Sequence, residues 1–398
     1  MAPLTFEDAR SCVLAKVLGA RRQPLDVERV PLLDACGRVL AEPIAADRDY
    51  PPVPRSARDG FAVRAADLPG ALRIAGEVRA GESFQGRVER GTAVEIMTGA
   101  PVPEGADAVV MIEHCTVSGD TVSTDRSPST GDNVSAQGSE ARAGGMLLEP
   151  GQRIDYAGIA LLAAVGRSQV SVFRRLRVAI LATGDEIVPI EAHPAAHQIR
   201  NSNSYSIAAQ VARAGAIPVI LPVARDEVES TGELIGRGLQ CDLMLVAGGV
   251  SAGKYDLVEK VLAQAGAGFY FDRVKIQPGQ PLVFGSVQGK FFFGLPGNPG
   301  STMLTFELFA RAAIELLSGQ NEANLPLTLS RLCHDFRQKP GLTRFLPALL
   351  SADGSHVSPI AWRGSSDVPS LARANAFLVT EPERETWNAG DLIRVLMK

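Results

Sequence analysis

From Arg177 to Gly319 the sequence alternates short apolar stretches with amphipathic ones, and that alternation leaves few folds open. "RVAILAT", "IPVILPVA" and "DLMLVAG" are apolar almost throughout, as strands buried on both faces must be. Between them stand "NSYSIAAQVARAG", opened by Ser202 and closed by Gly215, a segment from Glu227 to Leu239, and "YDLVEKVLAQAG". These carry apolar residues at helical spacing. The pattern predicts a parallel sheet with helices on both faces, a doubly wound α/β layer. "PLVFGSVQGKFFFGLPG" reads as a hairpin, and "STMLTFELFARAAIELLSG" as a closing helix that ends at Gly319.

The flanks have another texture. Residues Thr5 to Ala46 read as helical, with a Thr5/Asp8 capping pattern at the start and "LLDACGRVLAEPI" ending at Pro43. The prolines of "DYPPVPRSARDG", Asp49 to Gly60, favour an extended, projecting loop. From Phe61 to about Gly151, runs such as "TAVEIMT" and "DAVVMIEH" separated by glycine turns predict a β-rich region. "YAGIALLAAVG" is helical again, and after "QNEANLPLT" short strands return. The expected organisation is α/β multidomain: a helical stem from residues 1–46 and 147–176, an inserted β-rich domain over 47–146, the doubly wound domain over 177–322, and a C-terminal β-barrel-like domain over 323–398.

Composition narrows the function classes. The 398 residues are 45% hydrophobic and carry a formal net charge of −4, so a polyanion-coating protein is disfavoured, while a small anion held by local donors is not. The five cysteines are scattered without metal-site spacing, which points to reduced thiols. His193 and His197 are four apart, but Pro194 interrupts any helix that would pair them. The start reads as an amphipathic helix and not as a signal peptide, and no apolar run approaches the ~20 residues a membrane span needs. A soluble, cytoplasmic protein without nucleic-acid or membrane partners is the expectation.

In an open parallel sheet, ligands bind outside the carboxyl ends of the strands. Three loops leave such ends here. The first, "ATGDEIV", offers Thr183, Gly184, Asp185 and Glu186, which are also ordinary turn residues. The second, "AGGVSAGKYD", carries Gly248, Gly249, Ser251 and Gly253 and reads G-x-x-x-x-G-K. Tyr255 then stands where a P-loop needs a Ser or Thr for Mg²⁺, so a nucleoside-triphosphate site is disfavoured and an anion cradle before a helix remains. Asp256 is either an acid facing phosphates, able to hold Mg²⁺, or simply an acid favoured at a helix N-terminus. The third, "GLPGNPGS", is stiffened by Pro296 and Pro299, and Ser301 stands at the start of the closing helix.

Together with "SARDGFAV", "IMTGAPVPEGADAVVMIE", "FGLPGNPGSTMLTFELF" and "GSSDVPSLARANAFLV", these loops resemble the molybdopterin molybdenumtransferase family, the MoeA proteins, which are also similar to the gephyrin E domain. The resemblance runs through nearly the whole chain in the family's order. It implies a homodimer whose MogA-like doubly wound domain binds molybdopterin, with a projecting loop of one subunit helping to build the partner's site. The implied reaction takes adenylated molybdopterin, hydrolyses the adenylate with Mg²⁺ present, and inserts molybdate at the dithiolene. The adenylated substrate would come from a molybdopterin adenylyltransferase on a separate chain.

By position, the resemblance implies catalytic carboxylates at Asp256, Asp226 and Glu186, with Asp256 and Glu186 as Mg²⁺ ligands. It puts Asp59 and Thr98 in the proline-rich loop and "IMTGAP". Ser301, Arg344 and Ser365 fall on the molybdate side, shaped by Pro296 and Pro299, where Arg344 and the hydroxyls supply charge and donors to a tetrahedral dianion. The sequence departs from the family at Arg58, where Met is usual, at Glu140, at Lys254 and, most consequentially, in "IQPGQP". There Gln277 and Gln280 stand where many members have lysine, offering N–H donors without charge. Weaker molybdate capture is the expected consequence. The alternative reading is a non-catalytic molybdopterin-binding or scaffold protein of the same fold.

Overall fold

The alternation at the centre of the chain resolves into one six-stranded sheet in a computed structural model that describes residues 1–21, 25–249 and 257–398. Its strand order is Ile217–Ile220, Arg177–Ala182, Leu243–Ala247, Lys290–Leu295, Val283–Val287 and Gly268–Phe271. The first four run parallel, and the last two add antiparallel partners. The expected hairpin is there: Gln288 and Gly289 both have positive φ, the backbone a two-residue turn with native strand twist requires. Pro218 is tolerated because its strand is at the sheet edge, where no second neighbour needs its missing N–H. The Gly268–Phe271 strand, in "GFYFDRV", was not part of the expected pattern.

Side-chain alternation decides which helix covers which face. Val178 and Ile180 join one core with the helix Ser202–Arg213 and the closing helix, while Ala179 and Leu181 join another with the helices Val228–Gly238 and Leu257–Gln264. Each fully buried branched side chain contributes about 1.5–3 kcal/mol to holding the layers together. The closing helix runs Pro299–Thr305, passes through a π-helical turn over Phe306–Ala310, and continues over Arg311–Leu317. Gly319, at φ 100°, ends it as expected.

The N-terminal region departs from expectation. Among its described residues only Phe6–Ala20 is α-helical, capped by the Thr5 hydroxyl, which accepts from the Asp8 N–H at 3.1 Å. Val27–Pro31 is instead a strand paired with Gln169–Phe173, and Leu32–Ala35 is one 3₁₀ turn. The helical spacing of "LLDACGRVLAEPI" lost to punctuation: Pro31 precedes it, and Gly37 takes a left-handed φ of 76°. Phe6 packs edge-on against Phe309 and Phe345 at 5.9 and 5.4 Å, tying this helix to the closing helix and to the C-terminal strands.

Those C-terminal strands close on themselves. Thr343–Leu350, His356–Pro359, Leu327–Leu332, Leu392–Met397 and Ala376–Thr380 pair in turn, and the last returns to the first. The result is a five-stranded barrel without a free edge among these strands. Trp387, 1% exposed, fills its core and stacks on Phe336 at 4.8 Å. These elements and the α/β layer form one unit, Met1–Ala41, Gly151–Asp155 and Val170–Lys398. A second unit, Glu42–Pro150 and Tyr156–Gln169, holds another six-stranded sheet, ordered Ala108–Met111, Gly60–Val63, Thr92–Ile96, Gly70–Val78, Thr121–Thr124 and Thr116–Ser118. In the segment read as a projecting loop, Arg55–Ser56 pair with Val134–Ser135. No helix among the described residues is long and apolar enough to cross a membrane.

One ion pair braces the α/β layer away from its carboxyl rim. Asp242 accepts from both Arg174 Nη atoms at 3.0 and 3.1 Å and from the Arg177 backbone N–H at 2.7 Å. Burial pushes the Asp242 carboxyl up, but Arg174, the Arg177 N–H and Lys290 outweigh it and hold it below the ordinary carboxylate range. The stabilisation is therefore complete above the unfolded-state value near about 4 and is lost as pH falls through the lower folded value. Asp242→Asn is expected to cost about 1–2 kcal/mol at neutral pH. Urea midpoints of parent and variant should differ at pH 7 and converge in acid; a constant gap would show that charge is not the cause.

Candidate active site at the carboxyl rim of the sheet

The parallel strands end together, and backbone bonds stitch the loops after four of them into one rim. The Thr183 N–H donates to Ala247 O at 3.2 Å, the Gly184 N–H to Ala224 O at 3.2 Å, and the Gly248 N–H to Leu295 O at 3.1 Å. Gly249 takes φ 64°, and a Cβ there would lie 2.6 Å from Thr183 Oγ1, so only glycine lets the two loops come this close. The Thr183 hydroxyl is itself buried and has no hydrogen-bond partner among the described residues.

Above this rim lies a cavity of about 840 Å³. Thr183, Gly184, Glu186, Asp226, Gly248 and Gly249 line it from the first loops, and Pro296, Pro299 and Ser301 from the third. The opposite wall is built by two long-range contacts. Ile276–Gln277 runs parallel to Thr343–Arg344, bringing Gln277, Gln280 and Leu342 to the cavity. The Gly300 N–H donates to Ser365 O at 2.7 Å, bringing in Trp362, Gly364 and Ser365.

Two helix N-termini open onto this space. The helix Ser202–Arg213 starts from Asn201, whose side chain accepts from the Ser204 N–H at 3.1 Å, and Asn201, Ser202 and Asn203 line the cavity. The closing helix starts at Pro299 without a side-chain cap. Asn203 donates to Gly297 O at 2.7 Å, locking the two N-termini to each other. The macrodipole makes both ends favourable to anions, although Pro299 has no N–H to offer, the Gly300 N–H is taken by Ser365 O and the Ser204 N–H by Asn201.

The charged side chains that line the cavity, among the described residues, are Glu186, Asp226 and Arg200. The Glu186 carboxylate folds over Gly184, where a Cβ would sit 2.4 Å from Oε2. Arg200 is carried by the short Ile199–Arg200 strand, whose Ile199 N–H donates to Glu186 O at 2.8 Å. Its Nε donates to Ala192 O at 3.0 Å. Oxygen donors and one guanidinium can hold a phosphorylated ligand, and the two carboxylates can hold a hard cation beside it.

The other expected site residues fall elsewhere. Asp185 does not line the cavity; its Oδ1 accepts from the Asp226 N–H at 3.3 Å. Arg344 stands next to Gln277 in register, but it is not a lining residue, and its Nη2 donates to Lys339 O at 3.1 Å. Asp59 and Thr98 belong to the second unit, where Asp59 Oδ1 accepts from the Thr98 N–H at 2.6 Å and hydroxyl at 2.7 Å. Those bonds hold the Asp59 carboxyl below its ordinary range. Ser251, Gly253 and Asp256 lie outside the described residues, and so do Lys254 and Tyr255. Sequence reasoning missed Ile199 to Asn203 and Trp362. The Asn-Ser start of "QIRNSNSY" was the available signal for the first; nothing local marked the second.

Comparison with known proteins adds to this geometry. Residues 4–166 match the MoeA N-terminal region (domain I and II), 179–316 a probable molybdopterin binding domain, and 330–397 the MoeA C-terminal region (domain IV). A protein of Haemophilus influenzae named molybdopterin molybdenumtransferase is 32% identical over 400 residues, covering 98% of each chain. One of Bacillus subtilis with the same name is 34% identical, covering 94% of this chain and 90% of its own. Among solved structures, a molybdopterin biosynthesis MoeA protein from Pyrococcus horikoshii superposes with a TM-score of 0.72 at 30% identity over 99% of both chains. A molybdopterin biosynthesis MoeA protein from Pyrococcus horikoshii OT3 gives a TM-score of 0.79 at 26% identity over 100% of both chains.

Proposed function

This chain belongs to the molybdopterin molybdenumtransferase (MoeA) family, a transferase family of molybdenum cofactor biosynthesis, and on that premise we propose that the rim cavity receives adenylated molybdopterin together with molybdate. The observation that carries this reading is the convergence of Glu186, Asp226, Gly248, Gly249, Pro299, Ser301 and Ser365 on one cavity into which two helix N-termini open. The helix ends favour the phosphates, and the hydroxyls of Ser301 and Ser365 supply donors to a tetrahedral oxyanion.

In the proposed reaction, water attacks one phosphorus of the phosphoanhydride, the bridging P–O bond breaks, and AMP leaves from the molybdopterin phosphate. Asp256 takes the proton of the attacking water, the role implied by its position in "GKYD". Glu186 and Asp226 place two carboxylates against a polyanionic substrate with Arg200 as the described counter-charge, a donor set that fits Mg²⁺ shared with substrate phosphates. Bound there, Mg²⁺ would neutralise charge on the phosphates. Two copies of the chain are proposed to act as a homodimer in the cytoplasm, supplied by a separate adenylyltransferase, as the family resemblance implies.

Asp256→Asn tests the hydrolytic step. Cells carrying it as their sole transferase should accumulate adenylated molybdopterin while the purified variant keeps the parent's circular dichroism; undiminished cofactor output would remove Asp256 from the chemistry. The neutral wall makes a separate prediction. Gln277 and Gln280 line the cavity, and lysines there would each add a charge-assisted contact to molybdate. The double variant Gln277→Lys, Gln280→Lys is expected to bind molybdate roughly tenfold more tightly by calorimetry. Equal dissociation constants would show that the oxyanion sits elsewhere.

A further inference from the structure

The chain has two tryptophans, and the structure gives them opposite surroundings. Trp387 is in the barrel core, stacked on Phe336 with Arg384 over its ring. Trp362 is partly exposed, lines the rim cavity, and has no aromatic or cationic ring partner among the described residues. It is the aromatic side chain among the described lining residues. An indole left unpaired at a cavity wall loses the contacts a partner would give it and stays open to a planar ligand.

Its loop is fixed on both sides. The Ile360 N–H donates to Pro347 O at 2.8 Å on one side. The Arg363 N–H donates to Asp367 Oδ2 at 3.0 Å, and the Gly300 N–H holds Ser365 O. Trp362 therefore sits on a loop ordered before ligand arrives, so stacking on it needs little further ordering. Pro278, Pro281 and Leu342 supply further apolar wall.

We propose that Trp362 is the stacking platform of the cavity, packing against a fused nitrogen-heteroaromatic ring of the substrate while the helix N-termini hold its phosphates. The proposal rests on the assignment of the cavity to adenylated molybdopterin. That substrate carries two such rings, pterin and adenine, and the test distinguishes them.

Calorimetric titrations with AMP and with pterin-6-carboxylate, on the parent, Trp362→Phe and Trp362→Ala, give the affinities. For whichever ring it stacks, Trp362→Ala is expected to bind about tenfold more weakly and Trp362→Phe to stay close to the parent. Titration with AMP should also quench parent tryptophan emission if adenine is the ring, and leave the Trp387 emission of Trp362→Ala unchanged. Parent and Trp362→Ala binding both probes with equal affinity would overturn the stacking role alone. Failure of the parent to bind either probe would overturn both the stacking role and the assignment of the cavity.

Discussion

Glu186→Gln is expected to lower turnover of adenylated molybdopterin by about 10²–10⁴-fold with the fold intact. The amide keeps the volume of the carboxylate, and the backbone of Glu186, which accepts from the Ile199 N–H at 2.8 Å, is unchanged. What disappears is one of the two acids that line the cavity among the described residues. If Glu186 holds Mg²⁺, the loss should be partly recovered at high Mg²⁺, because a weakened oxygen site is filled by mass action. A simple acid–base role would show no such recovery, and the parent rate in Glu186→Gln would take Glu186 out of the reaction. Rates of AMP release across a Mg²⁺ series separate these outcomes.

The second large effect is structural. Gly60 lies in the second unit on the Gly60–Val63 strand, hydrogen-bonded on both sides to Thr92–Ile96 and Ala108–Met111. A Cβ at this position would stand 1.9 Å from Val110 O and 2.9 Å from Val110 C. Those are backbone atoms of the paired strand, so no side chain can turn aside to make room. Gly60→Ala should therefore cost at least the upper end of the roughly 1–3 kcal/mol typical of overpacking. Gly60 also follows Asp59, whose carboxylate holds Thr98, so displacement of the strand should disturb that pair as well. A urea midpoint equal to the parent's would show that the strands part more easily than their pairing indicates.

Much of the α/β layer was legible in the sequence because its signals are local. "RVAILAT" and "DLMLVAG" could only be buried strands, and the Gln288–Gly289 turn and Gly319 helix end depend on residues within a few positions. The rim followed from the fold, since parallel strands must end together. The segment Val27–Pro31 was misread as helical, because pairing with the distant Gln169–Phe173 overrode a weak local periodicity. Trp362 was invisible for a related reason. Its membership of the cavity depends on the Gly300–Ser365 contact, which joins the closing helix to a loop far along the chain. Arg344, whose residue type suits an oxyanion, does not line the cavity; its Nη2 donates to Lys339 O.

The account turns on one location. A crystal structure of the protein with adenylated molybdopterin and molybdate should show ligand density in the cavity above Gly248, Gly249 and Gly297, with phosphates against the Ser202 and Pro299 helix ends. Density at another surface, with this cavity holding only solvent, would contradict it.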